Sequence, residues 1–308
     1  MDHKIKNIIS IHDFSTKEIN YILSVSQEVY KNPDKYTDLL KGKIIATLFF
    51  EPSTRTKMSF ETATKKLGGN TIGFEDIQTT AIKKGETFSD TIKIVSGYSD
   101  LIIMRTKIEG AARFASEITD KPIINAGDGT NQHPTQTMLD LFTIKQKIGK
   151  LDDISIGFFG DLKYGRTVHS LVEAISHYNP KIIKFISSPE FTIGKEYLKI
   201  LDSKKIKYEI LDTPIGNLKD LDILYVTRTQ LERIAEPIDI EKLKKKYTIT
   251  KELLDNENNP NLFVMHPLPR VYEIDKNVDD SKYNLYFKQA ENGVYVREAI
   301  LLILLGLI

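Results

Sequence analysis

The sequence contains no cysteine and no tryptophan. Without thiols there is no disulfide framework, no thiolate metal site and no cysteine nucleophile, and a reducing compartment fits that composition. Charge of one sign is missing as well. Lys and Arg number 43 against 42 Asp and Glu, for a formal net charge of +1. No global basic field exists to hold nucleic acid or an anionic membrane, so neither is expected as a partner. Any anion must be gripped by a few local groups. Long hydrophobic runs are scarce too. The longest, Ala299–Leu305 continued past Gly306 to Ile308, has about ten residues, roughly half of what a bilayer-crossing helix needs. It reads as a buried C-terminal helix. Met1–Ser10 carries lysines but lacks the apolar stretch and cleavage site of an export signal, so a soluble, cytoplasmic protein is expected.

Several chemical signatures are also missing. Gly157, Gly160 and Gly165 do not fit G-x-G-x-x-G, and no G-x-x-x-x-G-K-[ST] occurs, which argues against the usual dinucleotide and nucleotide loops. The histidines, among them His133, His169 and His266, form no H-E-x-x-H, and there is no G-x-S-x-G elbow. Neither a metal nor another cofactor is expected.

The chain is 308 residues long, which suggests two domains of roughly 100–200 residues each. Ser15-Thr16-Lys17-Glu18 is a capping box ahead of a helix with Ile19, Ile22, Leu23 and Val29 on its inner side. Ile44–Phe50 reads as a strand, and the helix after it stops at Gly68-Gly69. Further short apolar runs fall at Leu101–Met104, Pro122–Asn125, Ser155–Phe159, Ile182–Ser187, Tyr208–Leu211, Ile223–Thr227 and Leu262–Met265. Pro134 opens a long helix that Gly149 ends. Repeated βα units with buried strands predict an α/β fold of two doubly wound parallel-sheet domains joined by interdomain helices, the helix at 134–149 being one connector.

In such folds ligands bind beyond the carboxyl ends of the strands. After Ile44–Phe50 comes Glu51-Pro52-Ser53-Thr54-Arg55-Thr56, placing three hydroxyls and a guanidinium on the first turn of a helix. Free N–H groups and the helix dipole favour an anion there, and Arg55 adds phosphate-shaped hydrogen bonds. A capped helix with an exposed arginine is the plainer alternative. Later strands deliver Arg105, then Asn125 through Gln136 with His133 and Gln136, then Gly160–Arg166, then Arg228-Thr229-Gln230, and finally His266-Pro267-Leu268-Pro269-Arg270. Each arginine alone is an ordinary surface residue. Together they outline a cleft for a multiply anionic substrate, one that works by positioning and by stabilising negative charge.

Ser53-Thr54-Arg55-Thr56 followed by Ser59-Phe60-Glu61 resembles the carbamoyl-phosphate motif of the transcarbamoylases. Lys83-Lys84-Gly85-Glu86, Arg105 with Glu109–Arg113, and the downstream segments narrow the resemblance to aspartate carbamoyltransferase catalytic chains, in order from about Ile8 to the C-terminus. That family transfers the carbamoyl group of carbamoyl phosphate to L-aspartate in pyrimidine biosynthesis. The resemblance implies that Ser53, Thr54, Arg55, Thr56 and Arg105 hold the phosphate. It implies that Thr56, Arg105 and His133 meet the carbonyl oxygen, Gln136 and the backbone carbonyls of Pro267 and Leu268 the carbamoyl end, and Arg166, Arg228 and Gln230 the aspartate carboxylates. Thr80 and Lys84 match a loop that enters a neighbouring subunit's site in a homotrimer. Arg55, Thr56, Lys84, Arg105 and His133 are the implied catalytic group. The implied domains are 1–134 with 291–308 for carbamoyl phosphate and 135–290 for aspartate. The resemblance also suggests that Glu51 pairs with Arg166 or Arg233 across the cleft when the domains close.

Thr106 and Thr80 stand where the family often has His and Ser. Thr80 keeps its hydroxyl; Thr106 has no role that the sequence assigns. Glu109–Arg113 resembles a segment found in chains that bind regulatory chains and in chains that do not, so that partner is left open. Ornithine carbamoyltransferase is the nearest alternative, but its His-Cys-Leu-Pro is His266-Pro267-Leu268-Pro269 here and its Ser-Met-Gly element is absent. A catalytically dead, metabolite-binding paralogue is the other, and every catalytic group named above is present.

Overall fold

The computed structural model describes residues 5–76, 80–229 and 247–308. The chain divides into two compact units, one of Met1–Phe142 with Glu291–Ile308 and one of Thr143–Ala290. The chain passes from the first to the second within a long helix, Pro134–Ile148, and returns within another, Tyr286–Leu304.

The first unit opens with α1 (Thr16–Lys31), whose capping box is formed: Ser15 Oγ accepts from Glu18 N and the Glu18 carboxylate accepts from Ser15 N. Then follow β1 (Ile44–Phe49), α2 (Thr54–Lys66), β2 (Asn70–Phe74), α3 (Phe88–Tyr98), β3 (Leu101–Thr106), α4 (Ala111–Glu117), β4 (Ile123–Asp128) and α5 (Pro134–Ile148). The sheet order is β2-β1-β3-β4, and every pairing is parallel. Because β1 is followed by β2 on one side and β3 on the other, the winding reverses between β1 and β3. Ala46, Leu48, Ile102, Met104 and Ile123 are buried in the core beneath the sheet, each large aliphatic contributing about 1.5–3 kcal/mol.

The second unit continues with β5 (Ser155–Phe159), α6 (Arg166–Ile175), β6 (Ile182–Ile186), α7 (Lys195–Ser203), β7 (Tyr208–Leu211), β8 (Ile223–Val226), α8 (Lys251–Asn256), β9 (Phe263–Met265) and α9 (Tyr286–Leu304). Its parallel sheet has the order β7-β6-β5-β8-β9. Here the winding reverses between β5 and β8. Phe159, Ile186, Leu224, Val226 and Val264 pack its core. Gly160 ends β5 at φ 110°, and a Cβ there would lie 2.4 Å from the Thr227 carbonyl oxygen that follows β8. Glycine therefore lets the two strand ends approach at the reversal.

The two parallel sheets and their covering helices match the expected architecture. One strand escapes the sequence reading: β2 is an edge strand whose residues are exposed or half-exposed, so it has no continuous apolar run. Strands β3 and β4 also extend further than the apolar pattern, as far as Thr106 and Asp128. Backbone pairing of Phe49 with Arg105 and Thr106 with Asp128 carries these polar residues into the sheet without apolar side chains. Among the described residues no helix is long and apolar enough to cross a membrane.

Candidate active site

Both winding reversals have their strand ends occupied by the residues singled out from the sequence. In an open α/β sheet that crevice is where ligands bind. At the first, Ser53 is the N-cap of α2 with extended backbone, and its side chain makes no capping bond. Instead Ser53 Oγ donates to Thr56 Oγ1 at 3.0 Å. The first-turn N–H groups, which have no partner within the helix, thus sit beside two linked hydroxyls. Thr56 is buried while Thr54 and Arg55 are exposed. Thr54 and Arg55 present donors to whatever approaches the helix end.

Arg105 is the penultimate residue of the neighbouring strand β3. Its Nη1 donates to the carbonyl oxygen of Ala126 at 3.2 Å, and its Nε lies 3.3 Å from Glu51 Oε2. The side chains of this ion pair are only 12% and 20% exposed, so solvent screens it less than a surface pair. Glu51, which the resemblance links to Arg166 or Arg233 on domain closure, pairs here with Arg105. Arg233 lies outside the described residues.

His133 reaches the same unit through a polar scaffold that sequence reasoning missed. Asp128, almost fully buried, accepts from Asn125 Nδ2 (2.9 Å), Gln132 N (3.0 Å), Gly110 N (3.0 Å) and Asn131 Nδ2 (3.0 Å). Asn125 also donates to the Ile9 carbonyl, and Ile11 N donates to Gln132 Oε1. A buried carboxylate satisfied this fully fixes the loop that delivers His133. His133 is itself buried just ahead of Pro134, and its carbonyl accepts from Gln136 N and Thr137 N at the start of α5. Gln136 follows one turn on, with Nε2 donating to Asp140 Oδ1 at 2.9 Å. Thr106 acquires a role: its hydroxyl accepts from Ile108 N at 3.1 Å and stabilises the turn after β3. Glu109 accepts from Thr130 N, and Arg113 pairs with both oxygens of Asp13 at 2.6 and 2.7 Å.

Thr80 precedes a short 3-10 turn, Ala81–Lys84, that ends at Gly85 with φ 99°. Lys84 is exposed on it. Residues 77–79 just before it lie outside the described residues.

At the second reversal, the loop after β5 is pinned from several sides. Asp161 Oδ1 accepts from Tyr164 N, Leu162 N donates to the Phe191 carbonyl, and Thr227 Oγ1 donates to the carbonyls of Phe159 and Asp161. The loop ends at Arg166, the first residue of α6. A cation at a helix N-terminus opposes the dipole, an arrangement that makes sense where an anion is to be bound. Arg228, half-buried, follows β8, the strand hydrogen-bonded to β5. Arg166 thus follows the loop after β5 and Arg228 the adjacent strand β8, and a small cleft at Thr227 and Thr229 is lined also by Gly160, Ser188, Phe191, Tyr247 and Glu273. Gln230 lies outside the described residues.

After β9, His266 Nδ1 accepts from Leu268 N at 2.7 Å, and Nε2 lies 2.8 Å from Glu273 Oε1. The ring is thus neutral, with its proton on Nε2 donated to the carboxylate. Burial alone would raise the Glu273 carboxyl, but the bonds from His266 and from backbone N–H groups together hold it below the usual carboxylate range. This pair fixes the segment carrying Pro267 and Leu268, where Leu268 takes the left-handed conformation at φ 55°. Neither the pair nor its purpose was legible, since only His266 stood out. Among the described residues no group of three or more His, Asp or Glu could hold a metal ion.

Comparison with known proteins identifies the family. The carbamoyl-phosphate-binding domain of aspartate/ornithine carbamoyltransferases matches residues 6–146, and their Asp/Orn-binding domain matches residues 152–304. The aspartate carbamoyltransferase catalytic subunit of Methanococcus vannielii is 50% identical over 97% of this chain and 98% of its own. That of Bacteroides fragilis is 48% identical over 98% and 97%. The catalytic subunit of M. jannaschii aspartate transcarbamoylase superposes with a TM-score of 0.92 at 48% identity, covering 98% of both chains. Aspartate transcarbamoylase from Trypanosoma cruzi, solved with carbamoyl phosphate and aspartate, gives 0.90 at 32% identity, covering 97% of this chain and 96% of its own. With both domains matched in order and relatives this similar along nearly the whole length, the chain belongs to the aspartate/ornithine carbamoyltransferase family.

Proposed function

We propose that this chain is an aspartate carbamoyltransferase catalytic chain. It transfers the carbamoyl group of carbamoyl phosphate to the amine of L-aspartate, giving N-carbamoyl-L-aspartate and phosphate, in cytoplasmic pyrimidine biosynthesis. One observation carries the reading. Each sheet reverses its winding where cationic and hydroxyl groups gather, Ser53–Thr56 with Arg105 in one and Arg166 with Arg228 in the other. Two anionic substrates need two such sites.

Carbamoyl phosphate takes the first unit. Ser53, Thr54, Arg55, Thr56 and Arg105 bind its phosphate, and Thr56, Arg105 and His133 donate to its carbonyl oxygen. Gln136 and the carbonyls of Pro267 and Leu268 meet its amino group. Aspartate takes the second, with Arg166, Arg228 and Gln230 on its carboxylates. The neutral aspartate amine attacks the carbamoyl carbon, and the carbonyl oxygen gains negative charge. Donors already aimed at that oxygen stabilise it without reorganising, an effect worth about 3–4 kcal/mol for one donor. A phosphate oxygen of the leaving group takes the amine's proton, because no carboxylate is among the side chains assigned to the first site, the guanidiniums there carry no free lone pair and His133 is assigned as a donor to the carbonyl oxygen. Three chains form a ring in which Thr80 and Lys84 of one complete the site of the next. Regulatory chains are compatible with this arrangement but not required by it.

Turnover of purified protein with carbamoyl phosphate and either acceptor tests the assignment. Aspartate is expected to be carbamoylated and ornithine to react at least about 10³-fold more slowly, since guanidiniums facing an ammonium are mutually repulsive and unpaired. Comparable rates with ornithine would overturn the choice of acceptor. His133→Ala separates chemistry from binding. It should lower kcat by about 10²–10³-fold, as for loss of one oxyanion donor, and leave the affinity for inorganic phosphate unchanged. Normal turnover would reduce His133 to a helix-start residue.

A further inference from the structure

The roles proposed for the first unit leave the buried acid Asp140 unused. Asp140 lies on α5 one turn beyond Gln136, on the same helical face, and is fully buried. Its Oδ1 accepts the Gln136 side-chain amide. Near enough to feel its charge is Arg297 of α9, only 3% exposed, with its guanidinium 4.9 Å over the ring of Phe60. A Cβ on Gly293 would come within 2.4 Å of Arg297 Nη1, so the glycine leaves the guanidinium room. Burial draws Arg297 down to about 10, and the Asp140 charge works against that fall. Arg297 therefore stays cationic at neutral pH beside Asp140.

A carboxylate ion accepts hydrogen bonds and cannot donate them. Whichever end of the Gln136 amide meets Asp140 must be the nitrogen, so the end left over is the carbonyl oxygen Oε1. The amide orientation follows from this partner and not from the appearance of the atoms. We propose that Asp140 is a positioning residue that locks Gln136 with Oε1 as an acceptor, so that the site selects an acyl phosphate bearing an N–H donor on its acyl carbon. The inference rests on the proposed carbamoyl-phosphate site and deepens it. Without Asp140, the Gln136 amide is free to turn, and its NH2 would then favour the carbonyl oxygen, which every acyl phosphate has.

Acetyl phosphate is the discriminating probe. It shares the phosphate and the carbonyl oxygen with carbamoyl phosphate and carries a methyl group in place of NH2. Calorimetric titration of the intact chain with both is expected to show carbamoyl phosphate binding about 10- to 100-fold more tightly, because the methyl leaves a buried acceptor unpaired. In Asp140→Asn the ratio should fall at least about threefold, towards what the Pro267 and Leu268 carbonyls alone supply, with inorganic phosphate affinity unchanged, since Asn can donate to Oε1 and let the amide turn. Mere structural damage would weaken all three ligands alike and leave the ratio where it was. If Asp140→Asn does not fold, Gln136→Met decides. Loss of an acceptor for N–H lowers the ratio, whereas loss of a donor to the shared carbonyl oxygen weakens both acyl phosphates equally and leaves the ratio unchanged. Equal affinities in the wild-type chain, or a ratio unmoved by Gln136→Met or by folded Asp140→Asn, overturn the proposal. If the wild-type chain still carbamoylates aspartate in those cases, only this inference falls. A chain that binds neither acyl phosphate takes the functional reading with it.

Discussion

Arg105→Ala is expected to lower kcat/KM for carbamoyl phosphate by at least about 10³-fold, more than loss of one oxyanion donor alone. Two effects add. The variant removes a guanidinium proposed to serve both the phosphate and the carbonyl oxygen, and it strands Glu51. In the folded chain the Glu51 carboxylate is held 3.3 Å from Arg105 Nε with its side chain only 20% exposed. Removing one member of such a pair leaves a half-buried anion at the mouth of an anion site, and truncating one partner of a buried charge pair costs about 2–5 kcal/mol. The double variant Arg105→Ala, Glu51→Ala separates the two. It should regain part of the lost affinity for inorganic phosphate, because the stranded carboxylate is gone, but none of the lost kcat. If the double variant binds phosphate no better than Arg105→Ala, Glu51 exerts no repulsion and the pair is structurally incidental. If Arg105→Ala keeps wild-type kcat/KM, the site assignment itself is wrong.

That pair also marks the limit of what the sequence yields. The apolar runs of β5, β6 and β8 and the capped start of α1 are read directly, because local burial and local hydrogen bonds determine them. The donors at the strand ends are legible for a related reason: a parallel sheet puts whatever follows each strand at one edge. The partners that orient those donors are not. Glu51 and Arg105 are 54 positions apart, Asn125 reaches Ile9 across 116, and His266 finds Glu273 only because the segment between them folds back. No periodicity encodes such contacts. Strand β2 fails for the opposite reason, since an exposed edge needs little hydrophobicity to pair. Asp140 sits four residues from Gln136, so helical spacing alone permitted the contact. What identified it was the burial of Asp140, which is set by packing.

Lys84 gives the largest expected recovery of activity, and it tests the shared site directly. Its side chain is exposed on the short turn Ala81–Lys84, between Thr80 and Gly85. An exposed lysine contributes little to the stability of its own chain, so a large catalytic effect of Lys84→Ala would have to come from a site the residue reaches. Arg55→Ala removes the guanidinium from the N-terminal turn of α2 and is expected to leave trimers of that variant nearly inactive. Trimers of Lys84→Ala should be equally poor if every site needs a neighbour's lysine. Mixing the two and allowing exchange changes the outcome. In a closed ring of three, random assembly makes about three quarters of the trimers mixed. Every mixed ring, whichever variant is in the majority, has one junction where an intact Arg55 meets an intact Lys84 from next door. About one site in three then works in the mixed rings, and about a quarter of wild-type activity returns. The measurement is turnover with carbamoyl phosphate and aspartate before and after exchange, with exchange verified by a charge or mass tag on one variant. Activity that stays at the level of the separate variants, despite verified exchange, would mean that each chain uses its own Lys84. Full activity in Lys84→Ala trimers before any mixing would remove the lysine from the site altogether. Recovery to about a quarter has no explanation within a single chain, because neither variant chain contains a complete set of groups.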